Sequence, residues 1–269
     1  IIDGNFFETK RFRAKTKTDI INILYLLFAD DTCLCAESED DLQTIMNKFN
    51  QVCQQFGLRI SINKTEIMAI DNSSQSPTIS INDELIKSTS QFKYLGSIIT
   101  ADGLIKQEIK QRIQKAQMAF ASMYQRLWAR KNISISTKIV TYKVMICPIL
   151  LYAADTWHCT AEQFRSLEGF QYRCLRTILG KRRSDHISYE EILRKLKSQG
   201  IHTIEMQIRK KRTSNLCEII HMPKDRLINQ VAHSESAKWK QNPRTTTEKL
   251  ENKHKQDLKI FELPLERVR

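Results

Sequence analysis

Apolar and polar positions change their rhythm several times along the chain. From Ile20 to Leu27 isoleucine and leucine dominate, which predicts a buried strand. Phe28-Ala29-Asp30-Asp31 interrupts that run, and Thr32-Cys33-Leu34-Cys35-Ala36 then alternates as a return strand, so the pair reads as a hairpin with two carboxylates at its tip. Ser38 to Asp41 follows the capping-box pattern, with Asp in place of the usual Glu, and Glu39, Asp40 and Asp41 suit the positive start of a helix. Leu42, Ile45, Met46, Phe49, Val52, Cys53 and Phe56 recur at helical spacing, and Gly57 is the expected stop. Leu58 to Ile62 alternates like a strand, and Glu66 to Ile70 does so less cleanly. Asp71 to Pro77 reads as a polar loop, Ile79 to Ile86 as a small hairpin around Asn82-Asp83, and Phe92 to Thr100 as a further strand ended by Asp102-Gly103.

After Gly103 the period becomes helical. Ile105, Ile109, Ile113, Ala116, Phe120, Met123 and Leu127 form one stripe, and Lys106, Lys110, Arg112, Lys115, Arg126 and Arg130 mostly lie off it. Ser136 to Ile146 predicts a second helix, broken by Pro148. Thr160 to Gln163 is a capping box ahead of Phe164, Leu167, Phe170, Cys174, Leu175 and Ile178, with Gly180 as the stop. Ser188 to Glu191 is another box, flanked by Ile187 and Ile192 as a hydrophobic staple, and a last helix runs from about Ile204 to Met222, before Pro223. The remaining tail is polar and largely non-periodic, so partial disorder is expected there.

The 269 residues are 41% hydrophobic, enough for one large or two modest cored domains, and 7 Gly with 5 Pro exclude a low-complexity chain. The net charge of +13 is unevenly placed. Residues 30–100 hold 10 acids and 5 bases, residues 101–150 hold 9 bases and 2 acids, and residues 161–220 hold 13 bases and 7 acids. A basic half of this kind attracts phosphate; a solvated basic surface or an acidic protein partner are equally open readings of charge alone. The seven cysteines are odd in number and widely spaced, with no C-x2-C pair, so no zinc is expected, and most of them read as small core residues in a reducing compartment, nucleus or cytoplasm. No stretch reaches 18 apolar residues, so no membrane span is expected. The chain starts within a pattern and without Met, which suggests a fragment.

Two adjacent aspartates at a hairpin tip repel each other, and a divalent cation relieves both that repulsion and the desolvation. Mg2+ prefers hard oxygen ligands and binds through one or two carboxylates plus substrate phosphates. Successive strand residues point to opposite faces, so Asp30 takes the direct metal role and Asp31 a supporting one. An ordinary solvated Asp-Asp turn is the plain alternative.

Context makes the turn more specific. Phe28-Ala29-Asp30-Asp31 after an apolar strand resembles the catalytic hairpin of reverse transcriptases, and Glu37-Ser38-Glu39-Asp40-Asp41-Leu42-Gln43 resembles the continuation seen in the non-LTR (LINE-type) retrotransposon group. Phe56-Gly57-Leu58-Arg59-Ile60-Ser61-Ile62-Asn63-Lys64-Thr65-Glu66 is similar to the next palm motif, and Phe92-Lys93-Tyr94-Leu95-Gly96-Ser97 to the primer grip. Pro148 to Trp157 and Arg173 to Gly180 resemble the helical region of the same elements. The resemblance runs from about Leu24 to Val231 and rests on five motifs in order.

It implies an α+β fold, the C-terminal half of a right-hand polymerase palm followed by a mostly helical thumb and C-terminal region. Residues 1–100 would be partial palm, 101–150 thumb, 151–222 a basic helical region and 223–269 the polar tail. It also implies RNA-directed DNA polymerisation by two-metal nucleotidyl transfer with Mg2+, the two-metal site being incomplete in this chain, and an RNA template, a DNA primer and dNTPs. Asp30 and Asp31 would hold metal, and Lys64 would sit at the incoming nucleotide's phosphates, a surface lysine in a turn being its plain alternative. Tyr94, Leu95 and Gly96 would grip the primer, whose plain alternative is a buried strand. Lys106, Lys110, Lys115, Arg126, Arg130 and Lys131 would track the template–primer backbone. Arg209-Lys210-Lys211-Arg212 would contact RNA or act in nuclear import, or form a solvated helix face. The family's fingers, its upstream endonuclease, the palm motif with another metal-ligating Asp and a C-terminal zinc knuckle have no counterpart here; Asp3, Glu8 and Asp19 lack the apolar strand context of that palm motif. Polymerisation is therefore expected of a parent protein, and this chain alone is expected to be inactive. A non-enzymatic nucleic-acid-binding remnant stays open beside the enzyme. An intron-encoded maturase shares the hairpin but not the Leu150 to Trp157 region.

Overall fold

The structure, a computed structural model, describes residues 13–16, 20–70, 77–232 and 234–235. The chain is α+β, and its described residues part into two units, one before residue 105 together with those from 219 on, the other of residues 105–218.

In the first unit β1 (Arg13–Thr16) pairs antiparallel with β2 (Ile20–Asn22). The hairpin expected at the two aspartates is present as β3 (Tyr25–Phe28) and β4 (Asp31–Leu34), in the register Tyr25↔Leu34, Leu26↔Cys33, Leu27↔Thr32, Phe28↔Asp31. Helix α1 (Glu39–Gln55) starts at Ser38, whose hydroxyl accepts from the Asp41 amide at 3.1 Å. The Asp41 side chain, one methylene shorter than Glu, accepts from the Ser38 hydroxyl at 2.7 Å, so the box closes through the side chains. Gly57 stops the helix at φ 69°, as expected.

The small strands β5 (Glu66–Ile67), β6 (Ser80–Ile81), β7 (Glu84–Leu85) and β8 (Lys87–Ser88) follow, with β5 parallel to β8 and β6 antiparallel to β7. Asn82 and Asp83 take left-handed φ of 49° and 66° in the β6–β7 turn, the conformation those residues tolerate best. The first unit's core is Met46 of α1 with Ile67, Ile79, Ile81 and Ile86, and Leu34, Leu42, Ile60 and Ile62 pack around it. Gln43 pins α1 to β6 by taking the Ser80 amide and giving to the Ser80 carbonyl, each at 2.9 Å.

Three readings of this unit are corrected. The Ile20–Leu27 run is two strands, and β3 is exposed along its whole length: Leu27 and Phe28 are each 60% exposed, because among the described residues β3 has β4 on one side only and no layer over it. Leu58–Ile62 forms no strand; Ile62–Lys64 is a 3-10 turn, and Ile60 and Ile62 are partly buried through irregular backbone. Phe92–Thr100 is a hairpin, β9 (Gln91–Tyr94) and β10 (Ser97–Thr100), turned at Leu95-Gly96. Residues 71–76 of the expected polar loop lie outside the described residues.

The second unit is helical. Helix α2 (Lys106–Ser122) buries Ile109 and Ala116, with Ile113, Phe120, Met123 and Leu127 packed around them, so the stripe is present. It continues through a π turn, Tyr124–Trp128, that delivers Trp128 into the core. Helix α3 (Ile135–Thr141) passes through a second π turn, Tyr142–Ile146, into α4 (Cys147–Leu150). Pro148 therefore does not break the helix: the wider turn ends before it, and a proline in the first turn of α4 needs no amide donor. Helix α5 (Ala161–Ile178) carries both bonds of the Thr160–Gln163 box, at 2.8 and 3.3 Å. Helix α6 (Tyr189–Leu196) is capped by Ser188 and stapled by buried Ile187 and Ile192, while Glu191 turns away to Lys195 at 2.9 Å. Helix α7 (Ile204–His221) ends before Pro223.

Ile109, Trp128, Ile139, Tyr142, Leu150, Trp157, Leu167, Leu175, Ile192 and Ile204 belong to one core, so residues on both sides of position 150 close a single helical body. The expected tail contains order as far as it is described: α8 (Leu227–Ala232), and β11 (Ser234–Glu235) antiparallel to β1. The rest of the tail, from residue 236, lies outside the described residues.

Candidate active site

The β3–β4 register makes Ala29-Asp30 a two-residue turn and leaves Asp31 as the first paired residue of β4. Asp30 stands in the turn and Asp31 at the strand's start, both exposed. Ala29 sits at φ 52°. A side chain with a Cβ is held in that left-handed region at a cost of about 1–2 kcal/mol, so the turn is kept by its strands rather than by residue preference.

Strand alternation decides what faces what. Leu34 packs on the core of α1 and the small strands, so its neighbours Cys33 and Cys35, together with Asp31, share the opposite face. The Cys35 amide donates to the Leu24 carbonyl at 2.8 Å, extending the ladder one residue beyond β4. On this face the two thiols hydrogen-bond with their sulfurs 3.9 Å apart, which lowers Cys33 to about 7 and raises Cys35. Tyr94 of β9 feels the same face: partial desolvation, then the negative field of Cys33, Asp31 and Cys35, raises its hydroxyl's pKa. Leu95 and Gly96 form the tip of that second hairpin at φ 46° and 86°.

Lys64 is exposed on its 3-10 turn and makes no ion pair with Asp30 or Asp31. Among the described residues no group of three or more His, Cys, Asp or Glu is placed to hold a metal; Asp3, Glu8 and Asp19 lie outside them. Mg2+ nevertheless suits the donors present, because the two carboxylates are hard, exposed and leave room for waters and substrate phosphates.

In the helical unit Lys106, Lys110, Arg126, Arg130 and Lys131 are exposed, and Lys115 is half-buried. Arg112, grouped with them by its position off the stripe, is not a surface base. It is buried, its Nε lies 2.6 Å from the buried Glu108 carboxylate, and its guanidinium lies 4.3 Å over the Tyr152 ring. The Arg209–Arg212 run is also largely committed inside the unit. Arg209 pairs with Glu205 at 2.6 Å, Lys211 gives to the Leu151 carbonyl at 2.9 Å and pairs with Asp155 at 3.2 Å, and Arg212 is buried. Asp155 also accepts from Asn215 at 2.8 Å, so the Leu150–Trp157 segment is tied to α7 by its acid. Sequence reasoning missed this tie, and it did not mark the shared face of Cys33 and Cys35, for which their two-residue spacing on a strand was the available signal. No described helix is long and apolar enough to cross a membrane.

Residues 7–99 match the family described as reverse transcriptase (RNA-dependent DNA polymerase). The chain is 28% identical over 177 residues to the RNA-directed DNA polymerase from mobile element jockey of Drosophila melanogaster, covering 61% of this chain and 19% of that protein. The jockey polymerase of Drosophila funebris is 26% identical over 167 residues, covering 59% and 18%. The probable RNA-directed DNA polymerase from transposon X-element of Drosophila melanogaster is 20% identical over 161 residues, covering 57% and 18%. The chain thus spans about a fifth of the length of the curated relatives it matches. No solved structure matches it. By these matches the chain is similar to the reverse transcriptases of non-LTR retrotransposons.

Proposed function

We propose that this chain is part of an RNA-directed DNA polymerase that extends a DNA primer on an RNA template from dNTPs. The observation that carries the reading is the exposed Asp30–Asp31 turn at the tip of the β3–β4 hairpin. In this reading the described part of residues 1–100 is palm, 101–150 is thumb, and 151–222 continues the helical body.

Asp30, free of the ladder, takes the direct contact with Mg2+, and Asp31 supports it. The ion supplies activation of the primer's 3′-hydroxyl and neutralises charge on the leaving pyrophosphate. A second ion needs a further carboxylate beyond this turn, since the described residues bring none to it. Lys64 is assigned to the phosphates of the incoming nucleotide, where an exposed ammonium can give a proton to pyrophosphate. Tyr94 and the Leu95-Gly96 backbone hold the primer end, and Gly96, without a Cβ, permits close approach. Lys106, Lys110, Lys115, Arg126, Arg130 and Lys131 hold template–primer phosphates without reading sequence.

The test is primer extension on an RNA template by the polymerase containing this sequence, beside filter binding. Asp30→Asn keeps the size and removes the charge that holds the ion. It should abolish extension and leave template–primer binding within about threefold, because the basic helices supply most of that affinity. Binding by the 269-residue chain should fall on the order of a thousandfold between 50 and 200 mM salt if about six phosphates are engaged. Extension by Asp30→Asn at the parent rate would remove the site, and salt-independent binding would remove the assignment of the basic residues.

A further inference from the structure

We propose that Cys33 and Cys35 form a two-thiolate site for a soft divalent cation, zinc or cadmium, on the face of β4 that carries Asp31. The spacing is built by the strand. Residues i and i+2 point to one side, and the Cys35–Leu24 backbone bond holds Cys35 in the ladder although β4 ends at Leu34. Leu34, between them, is anchored on the core and fixes the face they share.

The sulfur separation selects the chemistry. The two Sγ atoms are 3.9 Å apart. Two sulfur ligands of one tetrahedral zinc ion, at about 2.3 Å from the metal, lie about 3.8 Å apart. A disulfide needs about 2.05 Å between sulfurs and Cα atoms no more than about 6.8 Å apart, whereas i and i+2 of an extended strand are held near that upper limit. A cation thus fits between the sulfurs as they stand, and a disulfide requires the strand to deform. Both side chains are half-buried, so an ion can reach them. Thiolates prefer zinc and cadmium, and carboxylates prefer magnesium, so this site and the Asp30–Asp31 turn draw different ions from the same solution. Among the described residues no third protein ligand completes the site, so two positions are left for water or an outside ligand and the bound ion exchanges. On binding, the two thiol protons leave to solvent.

The test titrates the reduced 269-residue chain with Cd2+ in a large excess of Mg2+, following sulfur-to-cadmium charge-transfer absorption. One equivalent should depend on this pair: Cys33→Ser and Cys35→Ser should each weaken it by more than roughly tenfold. Asp30→Asn and Cys53→Ser should leave it unchanged. Independently of any variant, one equivalent of Cd2+ should protect Cys33 and Cys35 from alkylation, and leave Cys53 as reactive as before, by peptide mass spectrometry. Absorption that survives in either serine variant, that Mg2+ displaces, or alkylation of both cysteines at the unprotected rate would overturn the site.

Discussion

Glu108→Gln separates two energy scales for one ion pair. Read as an i,i+4 pair on a helix surface, Glu108 and Arg112 are worth about 0.2–0.5 kcal/mol. Their side chains are 3% and 6% exposed, with Nε 2.6 Å from Oε1, and the guanidinium also lies over the Tyr152 ring. Glutamine keeps the shape and leaves a buried cation facing a neutral amide. Removing one partner of a buried pair costs about 3–5 kcal/mol. Urea unfolding followed by tryptophan fluorescence measures this, since Trp128 and Trp157 are both buried in the helical core. With an m value of roughly 2 kcal/mol/M, the midpoint should fall by about 2 M. Replacing both partners, Glu108→Leu with Arg112→Met, should return stability to within about 1 kcal/mol of the parent, because an apolar pair of similar volume has no charge to desolvate. A midpoint drop under about 0.3 M for Glu108→Gln would refute burial of the pair.

Phe120 is partly buried and stacks on Trp128, with centroids 4.6 Å apart and planes 8° from parallel. Phe120→Ala should therefore cost about 2–4 kcal/mol, toward the low side of a full core deletion, and a loss under about 0.5 kcal/mol in the same urea curve would show the stripe to be misassigned. Burial raises Cys174 to about 12 and Cys147 to about 11, from 9.0. Below pH 9 both thiols are neutral folded or unfolded, so this contribution is fully present; above it the unfolded chain ionises first, and stability falls as pH rises to about 11–12. Cys174→Ala should flatten the alkaline arm of a melting-temperature profile, and identical slopes for variant and parent between pH 9 and 12 would count against it.

Legibility followed the source of each element's stability. The helices were readable because their signals are local: Ser38, Thr160 and Ser188 cap where the sequence places them, and the Ile109–Leu127 stripe packs where its period says. The strands depended on partners far away in sequence. Leu58–Ile62 has strand rhythm, yet its isoleucines are partly buried without any pairing, and β5 takes Lys87–Ser88 as a parallel neighbour that no periodicity announces. Charge was read least well. Arg112, Arg209, Lys211 and Arg212 look like surface bases by composition, and all four are engaged or buried within the helical unit. Whether an acid waits opposite a base is a tertiary fact: Asp155 lies 56 residues from Lys211 in the chain.

The turns carry a different kind of information. Six residues other than glycine have positive φ among those described, and Asn82, Asp83 and His186 are of types that tolerate it. The other three, Ala29, Leu95 and Ala153, have no side-chain polar group to stabilise a left-handed turn. Each lies in a segment on which the resemblance to reverse transcriptases rests: Phe28–Asp31, Phe92–Ser97 and Pro148–Trp157. The second hairpin tip was misread, since Leu95 carries no turn signal of its own and Phe92–Thr100 therefore scanned as one strand. A chain selected for stability alone would place Gly or Asn at such positions and gain about 1 kcal/mol at each. Residues held against their preference persist where the surrounding structure over-determines them, and such strain concentrates at working sites. Ala29 thrusts Asp30 out of the ladder, and Leu95 closes the hairpin that carries Tyr94. Positive φ at a residue without a polar side chain thus falls at both hairpin tips and, at Ala153, at a third position outside them.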